Sequence, residues 1–124
     1  MKVLFDTNAV LYYLTDKNIS NINCEFAVSF ITEIELLAYP MIEEKEEKII
    51  RQFLDLVDII DINTYIKEET INLRRKFNIK IPDAIICATA KYLDVPLITN
   101  DKQILKIKDC KCLDYEKFKE IYAK

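Results

Sequence analysis

The segment PDAIICATAKYLDVPLITND, residues 82–101, decides the fold of this chain. Its first part carries no charge between Asp83 and Lys91, and Pro82 suits the first position of a helix. A helix that is apolar on almost all sides must be covered by other parts of the protein on two opposite faces. Residues 95–99 follow as a short β-rich run. The segment therefore predicts a helix packed between a sheet and a further layer, followed directly by a strand.

The same alternation of strand and helix extends over the whole chain. We predict strands at residues 2–5, 24–29, 56–60, 95–99 and 110–113, and helices at 8–14, 32–39, 42–56, after an N-cap at Asn63, at 83–93, at 101–106 and from Tyr115. This order indicates a three-layer α/β/α fold with a mainly parallel central sheet. With 124 residues and no repeat or linker, we expect a single domain over residues 1–124.

The residue types that the chain lacks narrow its chemistry. It contains no His, which excludes Ser-His-Asp and Cys-His catalytic pairs and every zinc site that uses His. It contains no Gly, which excludes the dinucleotide fingerprint and the P-loop. Turns that need a positive φ must use other residues, and Asn78 is the best candidate. A hydrolase built from this chain must rely on carboxylates, hydroxyls, amides, Lys or a bound metal.

Cysteine spacing, hydropathy and charge suggest where the protein acts. The four cysteines match no zinc pattern, and we expect structural thiols in a reducing compartment. No apolar run reaches the roughly 18 residues that a membrane span needs, so we expect no membrane contact and a cytoplasmic location. The net charge is −3, which argues against a protein that coats nucleic acid nonspecifically.

Four acidic residues follow or adjoin the strand-like runs: Asp6, Glu35, Asp83 and Asp101. Because the carboxyl ends of parallel strands line one crevice, these four side chains could converge there. Converging carboxylates repel and raise one another's pKa unless a cation lies among them. The pattern predicts a site for one or two Mg²⁺ or Mn²⁺ ions, and with it phosphate chemistry.

Each of the four acids also has a purely structural interpretation. Asp6 and Asp101 could cap the helices that follow them, and Asp83 lies where a helix dipole favours negative charge. The sequence TEIE, residues 32–35, fits a capping box in which Glu35 bonds to the Thr32 amide. Taken singly, capping is the better explanation for each acid; taken together, they favour a metal site.

Four segments of the chain resemble those of the PIN-domain ribonucleases, and within them the VapC-type toxins. They are LFDTN (4–8), VSFITEIELL (28–37), PDAIICATA (82–90) and LITND (97–101), and they occur in family order. The resemblance covers nearly the whole chain. It implies a PIN-like fold and an endoribonuclease that depends on Mg²⁺ or Mn²⁺.

The resemblance also implies roles for individual residues. The acidic quartet is Asp6, Glu35, Asp83 and Asp101, with Asp6 and Asp83 as direct metal ligands and the other two acting through water or on a second ion. Four polar neighbours would orient the acids or the attacking water: Thr7, Asn8, Thr99 and Asn100. The implied partners are an RNA substrate, a cognate antitoxin and a second copy of the chain in a homodimer.

Contacts to RNA are harder to read from the sequence. Two basic groups, one around Arg74 to Lys80 and one from Lys102 to Lys108, are solvated helix faces in the simplest interpretation. Lys102 is the best candidate for a phosphate neighbour because it adjoins Asp101. Two other functions stay open: an RNA-processing nuclease of the same fold outside any toxin system, and an aspartate-based phosphoryl-transfer or receiver-like protein. The second lacks support, because Asn8 stands where an Asp-x-Asp phosphatase has its second Asp.

Overall fold

A computed structural model describes residues 1–19 and 22–123 of the chain. Within them, strands and helices alternate in the predicted manner. The strands are β1 (Lys2–Phe5), β2 (Glu25–Ser29), β3 (Asp58–Ile60), β4 (Leu97–Ile98) and β5 (Cys112–Leu113). The helices are α1 (Thr7–Thr15), α2 (Phe30–Leu37), α3 (Glu44–Leu54), α4 (Thr64–Phe77), α5 (Ile81–Leu93), α6 (Lys102–Leu105) and α7 (Tyr115–Tyr122).

The five strands form one sheet in the order β3-β2-β1-β4-β5, and every pairing in it is parallel. The central strand is β1, whose Phe5 pairs with Val28 of β2 and Ile98 of β4. After β1 the chain forms β2 and β3 on one side of this strand, and it then crosses over to form β4 and β5 on the other side. The carboxyl ends of β1, β2 and β4 therefore meet at a switch point, where open α/β sheets bind ligands.

Helices cover both faces of the sheet, which confirms the predicted three-layer fold class. Along β1, Leu4 belongs to the hydrophobic core beneath α4 and α5, whereas Val3 and Phe5 belong to the core beneath α1, α3 and α7. Phe5 is fully buried there and packs edge-on against Phe118, with the ring centroids 5.2 Å apart. Burial on both faces explains why this strand is apolar from Val3 to Phe5, after the half-buried Lys2 at its start.

Helix α5 has the buried environment that its sequence predicts. From Ala84 to Ala90 only Ile85 retains appreciable exposure, and Cys87 is fully buried as a small apolar residue. The helix begins at Ile81 rather than at Pro82, with Lys80 as its N-cap. All four cysteines are free thiols, and burial raises the pKa of the Cys24 thiol to about 11, which keeps it protonated.

Three turns use a positive φ without glycine. Asn78 ends α4 with φ 52°, which confirms the prediction made for it, and Asp94 ends α5 with φ 54°. Asn and Asp tolerate this region because their side chains can bond to the nearby backbone. Met41, with φ 66°, turns the chain between α2 and α3.

Several predicted boundaries shift by a few residues. Helix α2 begins at Phe30, two residues before the predicted start, because the Ser29 hydroxyl caps it by accepting the Ile31 N–H at 3.1 Å. Strands β4 and β5 each contain two residues, fewer than their β-rich runs suggest. In residues 1–19 and 22–123, no helix combines the length and apolar composition that crossing a membrane requires.

Candidate functional site

Asp6 occupies the centre of the carboxyl edge, at the end of β1. Its Oδ1 accepts the Ala9 N–H at 2.8 Å, so it does cap α1, as the structural interpretation predicts. Only 7% of the residue is exposed. Burial raises the pKa of Asp6; hydrogen bonding from Thr99 and Ala9 opposes this rise, and the charges of Asp101 and Glu35 add to it. The charged form of an acid that caps a helix is here destabilised by burial and, to a smaller extent, by its acidic neighbours.

Asp83 lies in the first turn of α5 and is partly buried. Burial raises its pKa, and the charges of Asp101, Glu35 and Asp6 raise it further, while Lys80 lowers it. All three other acids of the predicted quartet thus act on this one carboxyl. The fold brings the four residues into a single electrostatic cluster, which is the arrangement that the strand order predicts.

Glu35 extends from the exposed side of α2 and is held by hydroxyl groups. The Thr7 hydroxyl donates to its Oε1 at 2.5 Å. The Thr7 oxygen also lies 3.3 Å from Oγ1 of Thr32, which is completely buried. The predicted capping box is therefore wrong: Ser29 caps α2, Thr32 lies inside the helix, and Glu35 bonds to Thr7 of α1 instead of the Thr32 amide.

Asp101 caps α6, because its Oδ1 accepts the N–H groups of Gln103 and Ile104 at 2.8 and 3.1 Å. Its own N–H donates to the Thr99 hydroxyl oxygen at 3.0 Å. Thr99 is completely buried and also interacts with the Asp6 carboxylate. The Thr99 hydroxyl group therefore connects the Asp6 carboxylate with the backbone N–H of Asp101.

The four polar neighbours of the acids fall into two pairs. Thr7 and Thr99 contact acids of the cluster directly. Asn100 instead accepts the Tyr115 N–H at 2.9 Å, and so fixes the start of α7. Asn8 is exposed on the first turn of α1. Lys102, the first residue of α6, is exposed beside Asp101.

Thr32 is the residue of this site that the sequence interpretation missed. It lies one helical turn before Glu35, so both residues face the same side of α2. The signal in the sequence that could have identified it is a hydroxyl residue three positions before a candidate ligand on the same helix, and the structure shows that Thr32 is completely buried. Reading the TEIE sequence as a capping box concealed that signal.

The donor set of the cluster suits a hard cation at an open site. In the described part of the chain, no three His, Cys, Asp or Glu side chains are close enough together to enclose a metal ion. Mg²⁺ does not need such a cage: it usually keeps several waters and takes one or two carboxylates plus substrate phosphate. Two carboxyls whose pKa is raised first by burial and further by their acidic neighbours are the groups that a cation would relieve. The residues present therefore fit Mg²⁺ or Mn²⁺.

Without metal, the cluster should reduce the stability of the fold. We expect Asp6→Asn in EDTA at neutral pH to raise the free energy of unfolding by on the order of 1 kcal/mol. An Asn side chain keeps the cap on α1 and removes the buried charge. Because the folded state raises the pKa of Asp6, the stability that this group contributes is present at low pH and is lost as the pH rises through the raised pKa.

The measurement is thermal unfolding of both proteins at several pH values. The advantage of Asp6→Asn should be small near pH 4 and grow toward pH 7. The pKa of Asp16 is lowered by its hydrogen bond to Lys119, so its contribution to stability has the opposite pH dependence. Because Asp16 is present in both proteins, it does not affect the difference between them. Asp114→Asn is the matched control, since Asp114 caps α7 in the same way at 2.8 Å. An Asp6→Asn protein that is less stable than wild type at neutral pH would contradict the expected repulsion.

The family model for the PIN domain matches residues 3–109 of the chain. Among solved structures, a toxin–antitoxin complex from Klebsiella pneumoniae is 28% identical with a TM-score of 0.74, covering 90% of this chain and 95% of that one. VapBC-1 from nontypeable Haemophilus influenzae is 24% identical with a TM-score of 0.75, covering 94% of this chain and 100% of that one. DNA-bound VapBC from Salmonella typhimurium is 19% identical with a TM-score of 0.77, covering 93% and 98%.

A comparison with curated proteins finds no match. The family model nevertheless covers most of the chain, and it includes all four acids of the cluster. The solved structures share the same fold over nearly their whole length. This protein belongs to the PIN domain family.

Proposed function

We propose that this protein is a divalent-metal-dependent endoribonuclease and the toxin of a toxin–antitoxin pair. The observation that carries the proposal is the electrostatic cluster of Asp6, Glu35, Asp83 and Asp101 at the switch point of a PIN domain. We infer that residues 1–124 act as one domain. Nuclease chemistry of the hydrolase type is common to the family, whereas the metal and the RNA substrate are our proposals.

In this proposal, Asp6 and Asp83 bind the ion directly, and Glu35 and Asp101 act through water or on a second ion. A bound Mg²⁺ or Mn²⁺ would supply an activated water and offset the charge that develops on the phosphate. The protein contributes orientation: Thr7 fixes Glu35, and Thr99 holds Asp6 and Asp101 together. No His is needed as a base in such a mechanism, which agrees with a chain that has none.

The proposed partners follow from the structures that this chain resembles. Those from Klebsiella, Haemophilus and Salmonella are toxin–antitoxin or VapBC complexes. By analogy we infer a cognate antitoxin that blocks the acidic cluster, a homodimer of this chain, and action on RNA in the cytoplasm. The alternative is an RNA-processing nuclease of the same fold that has no antitoxin.

Induced expression in a bacterial host tests the proposal. We expect growth arrest together with new RNA 5′ ends at discrete positions, and neither with Asp6→Asn. Coexpression of a short protein encoded beside the gene should restore growth if the chain is a toxin. New RNA ends without growth arrest would favour the RNA-processing nuclease, and unchanged RNA in arrested cells would remove the ribonuclease from the account.

The hydroxyl group of Thr7 should be important for cleavage without being essential for folding. We expect Thr7→Val to lower the rate of RNA cleavage by about 10- to 100-fold, the usual cost of removing a group that orients a metal ligand. Val has nearly the same shape and cannot donate to Glu35. Thr7→Ser keeps the donor, so its initial cleavage rate should stay close to that of wild type. Equal rates for Val and wild type would show that the bond between Thr7 and Glu35 has no part in the reaction.

A further inference from the structure

A pocket lies beside the acidic cluster, and its residues have no role in the proposed metal site. Its volume is about 340 Å³, and it lies between the end of α4, the turn into α5, and α6. It is lined by Phe77, Asn78, Ile79, Gln103, Lys106 and Ile107. None of the four acids lines it, so it is a separate feature of this edge of the molecule.

The two walls of this pocket lead directly to two of the acids. Gln103 donates its backbone N–H to the Asp101 carboxylate at 2.8 Å. On the other side, the turn at Asn78 and Ile79 continues into Lys80, the N-cap of α5, whose first turn contains Asp83. A group bound in the pocket would therefore lie next to whatever is held between Asp83 and Asp101.

The lining of the pocket combines an apolar base with polar groups at its rim. Ile79 and Ile107 are 5% and 3% exposed and form the base together with the partly buried Phe77. Asn78 is fixed in position, because its Oδ1 accepts a hydrogen bond from Arg74 at 2.9 Å, and its amide lies at the rim of the pocket that it lines. The exposed Gln103 adds a second amide. An apolar surface flanked by amides is the environment in which proteins bind an unstacked nucleobase.

One cation, Lys106, lines this pocket, and Arg74 and Lys80 adjoin its lining, with the charge of Lys80 also acting on Asp83. Arg74, Lys80 and Lys106 form no ion pair with any carboxylate in residues 1–19 and 22–123. Elsewhere, cations such as Lys91 and Lys119 are paired, with Glu69 and Asp16 respectively. Cations that are left without partners beside a phosphate-cleaving site are suited to bind a nucleic-acid backbone.

The pocket on the opposite side of the cluster has the wrong charge for a strand of RNA. It measures about 310 Å³ and is lined mainly by apolar side chains of α1 and α2 and the segment from Tyr39 to Ile50. Its charged residues are Glu35 and Glu46, which would repel phosphate groups. Compared with this pocket, the one at α6 has a basic residue, Lys106, and no acidic residue in its lining, which suits RNA better.

We propose that the pocket between α4 and α6 holds one unpaired nucleotide of the RNA substrate, adjacent to the phosphate that is cut. The base lies against Phe77, Ile79 and Ile107, the amides of Asn78 and Gln103 bond to its edge, and Lys106 contacts the neighbouring phosphate. This inference rests on the proposed ribonuclease function and assigns a substrate subsite to it.

Two binding measurements test the subsite with a random-sequence single-stranded RNA pool that contains 4-thiouridine. In the first, ultraviolet crosslinking followed by peptide mapping should place the crosslinks in residues 77–80 and 102–108. In the second, Lys106→Ala should reduce the slope of log affinity against log salt by about one. Gln103→Ala should weaken binding by about fivefold, the worth of one hydrogen bond. Both variants change exposed side chains, and Lys48→Ala on α3 is the control of equal charge.

The outcomes separate this inference from the proposed function. Crosslinks on α1 to α3, or a salt slope for Lys106→Ala equal to that of Lys48→Ala, would overturn the subsite even if the protein cleaves RNA. Crosslinks at residues 77–80 and 102–108 in a protein that cleaves no RNA with any metal would support the pocket as an RNA-binding site and remove the nuclease.

Discussion

Asp83→Asn should lower the rate of metal-dependent RNA cleavage by at least about a hundredfold, the scale on which losing one electrostatic contact to the reacting group reduces catalysis. Asp83 is the residue on which the other three acids all act, and it lies at the edge where the phosphate would bind. Replacing its carboxylate with an amide would remove one of the two direct metal ligands of the proposed function, while the shape of the side chain stays almost the same. The measurement is the initial rate of cleavage of labelled RNA with Mn²⁺.

The matched control for this prediction is Asp94→Asn, at the other end of the same helix. Asp94 has φ 54°, a conformation that Asn also tolerates, and its ion pair with Lys111 joins two exposed side chains. We expect its cleavage rate to match that of wild type. If both variants cleave RNA at the wild-type rate, Asp83 does not bind the catalytic metal; if both lose activity, the loss arises from damage to α5.

Saturating Mn²⁺ should raise the unfolding temperature of the wild-type protein by roughly ten degrees. A ligand at 100 times its dissociation constant adds about 2.7 kcal/mol, and each kcal/mol is worth about 3–5 °C for a domain of this size. In the proposed function, the ion would replace repulsion among Asp6, Glu35, Asp83 and Asp101 with attraction. Because the ion competes with protons, its effect should increase as the pH rises through the raised pKa of Asp6 and Asp83.

The test of this prediction is thermal unfolding with EDTA and with Mn²⁺, from about pH 5 to pH 8. In Asp6→Asn the Mn²⁺ shift should nearly disappear, so that the variant is more stable than wild type in EDTA and less stable in Mn²⁺. Asp114→Asn should keep the full shift. An equal shift in all three proteins would mean that Mn²⁺ binds elsewhere on the surface.

The order of strands and helices was predictable because burial imposes it. A strand such as β1, apolar from Val3 to Phe5, and a helix such as α5, uncharged from Ala84 to Ala90, are buried on both sides in a layered α/β fold, and parallel strands then bring their carboxyl ends to one edge. The approach of Asp6 to Asp101 follows from that topology. The turn at Asn78 was predictable because a chain without Gly has few residues that tolerate a positive φ.

The contacts between individual side chains were not predictable in the same way. Glu35 fits a capping box in sequence, yet its partner is Thr7, because Ser29 starts α2 earlier and rotates Glu35 toward α1. Asn100 neighbours a site acid in sequence, but its side chain accepts the N–H of Tyr115 at the start of α7, a partner that is 15 residues away in sequence. Such details depend on where a helix starts and which way it faces, and a single sequence leaves both uncertain by a residue or two.

The most direct test of the central claim is cleavage of labelled total RNA by the purified protein, with Mg²⁺, Mn²⁺ or EDTA. The account predicts discrete fragments that require a divalent ion and are absent when Asp6 and Asp83 are both replaced by Asn. The same fragments in EDTA or from the double variant would contradict it. Intact RNA in every sample, together with no Mn²⁺ binding in a calorimetric titration, would reduce the four acids to helix caps and surface charges.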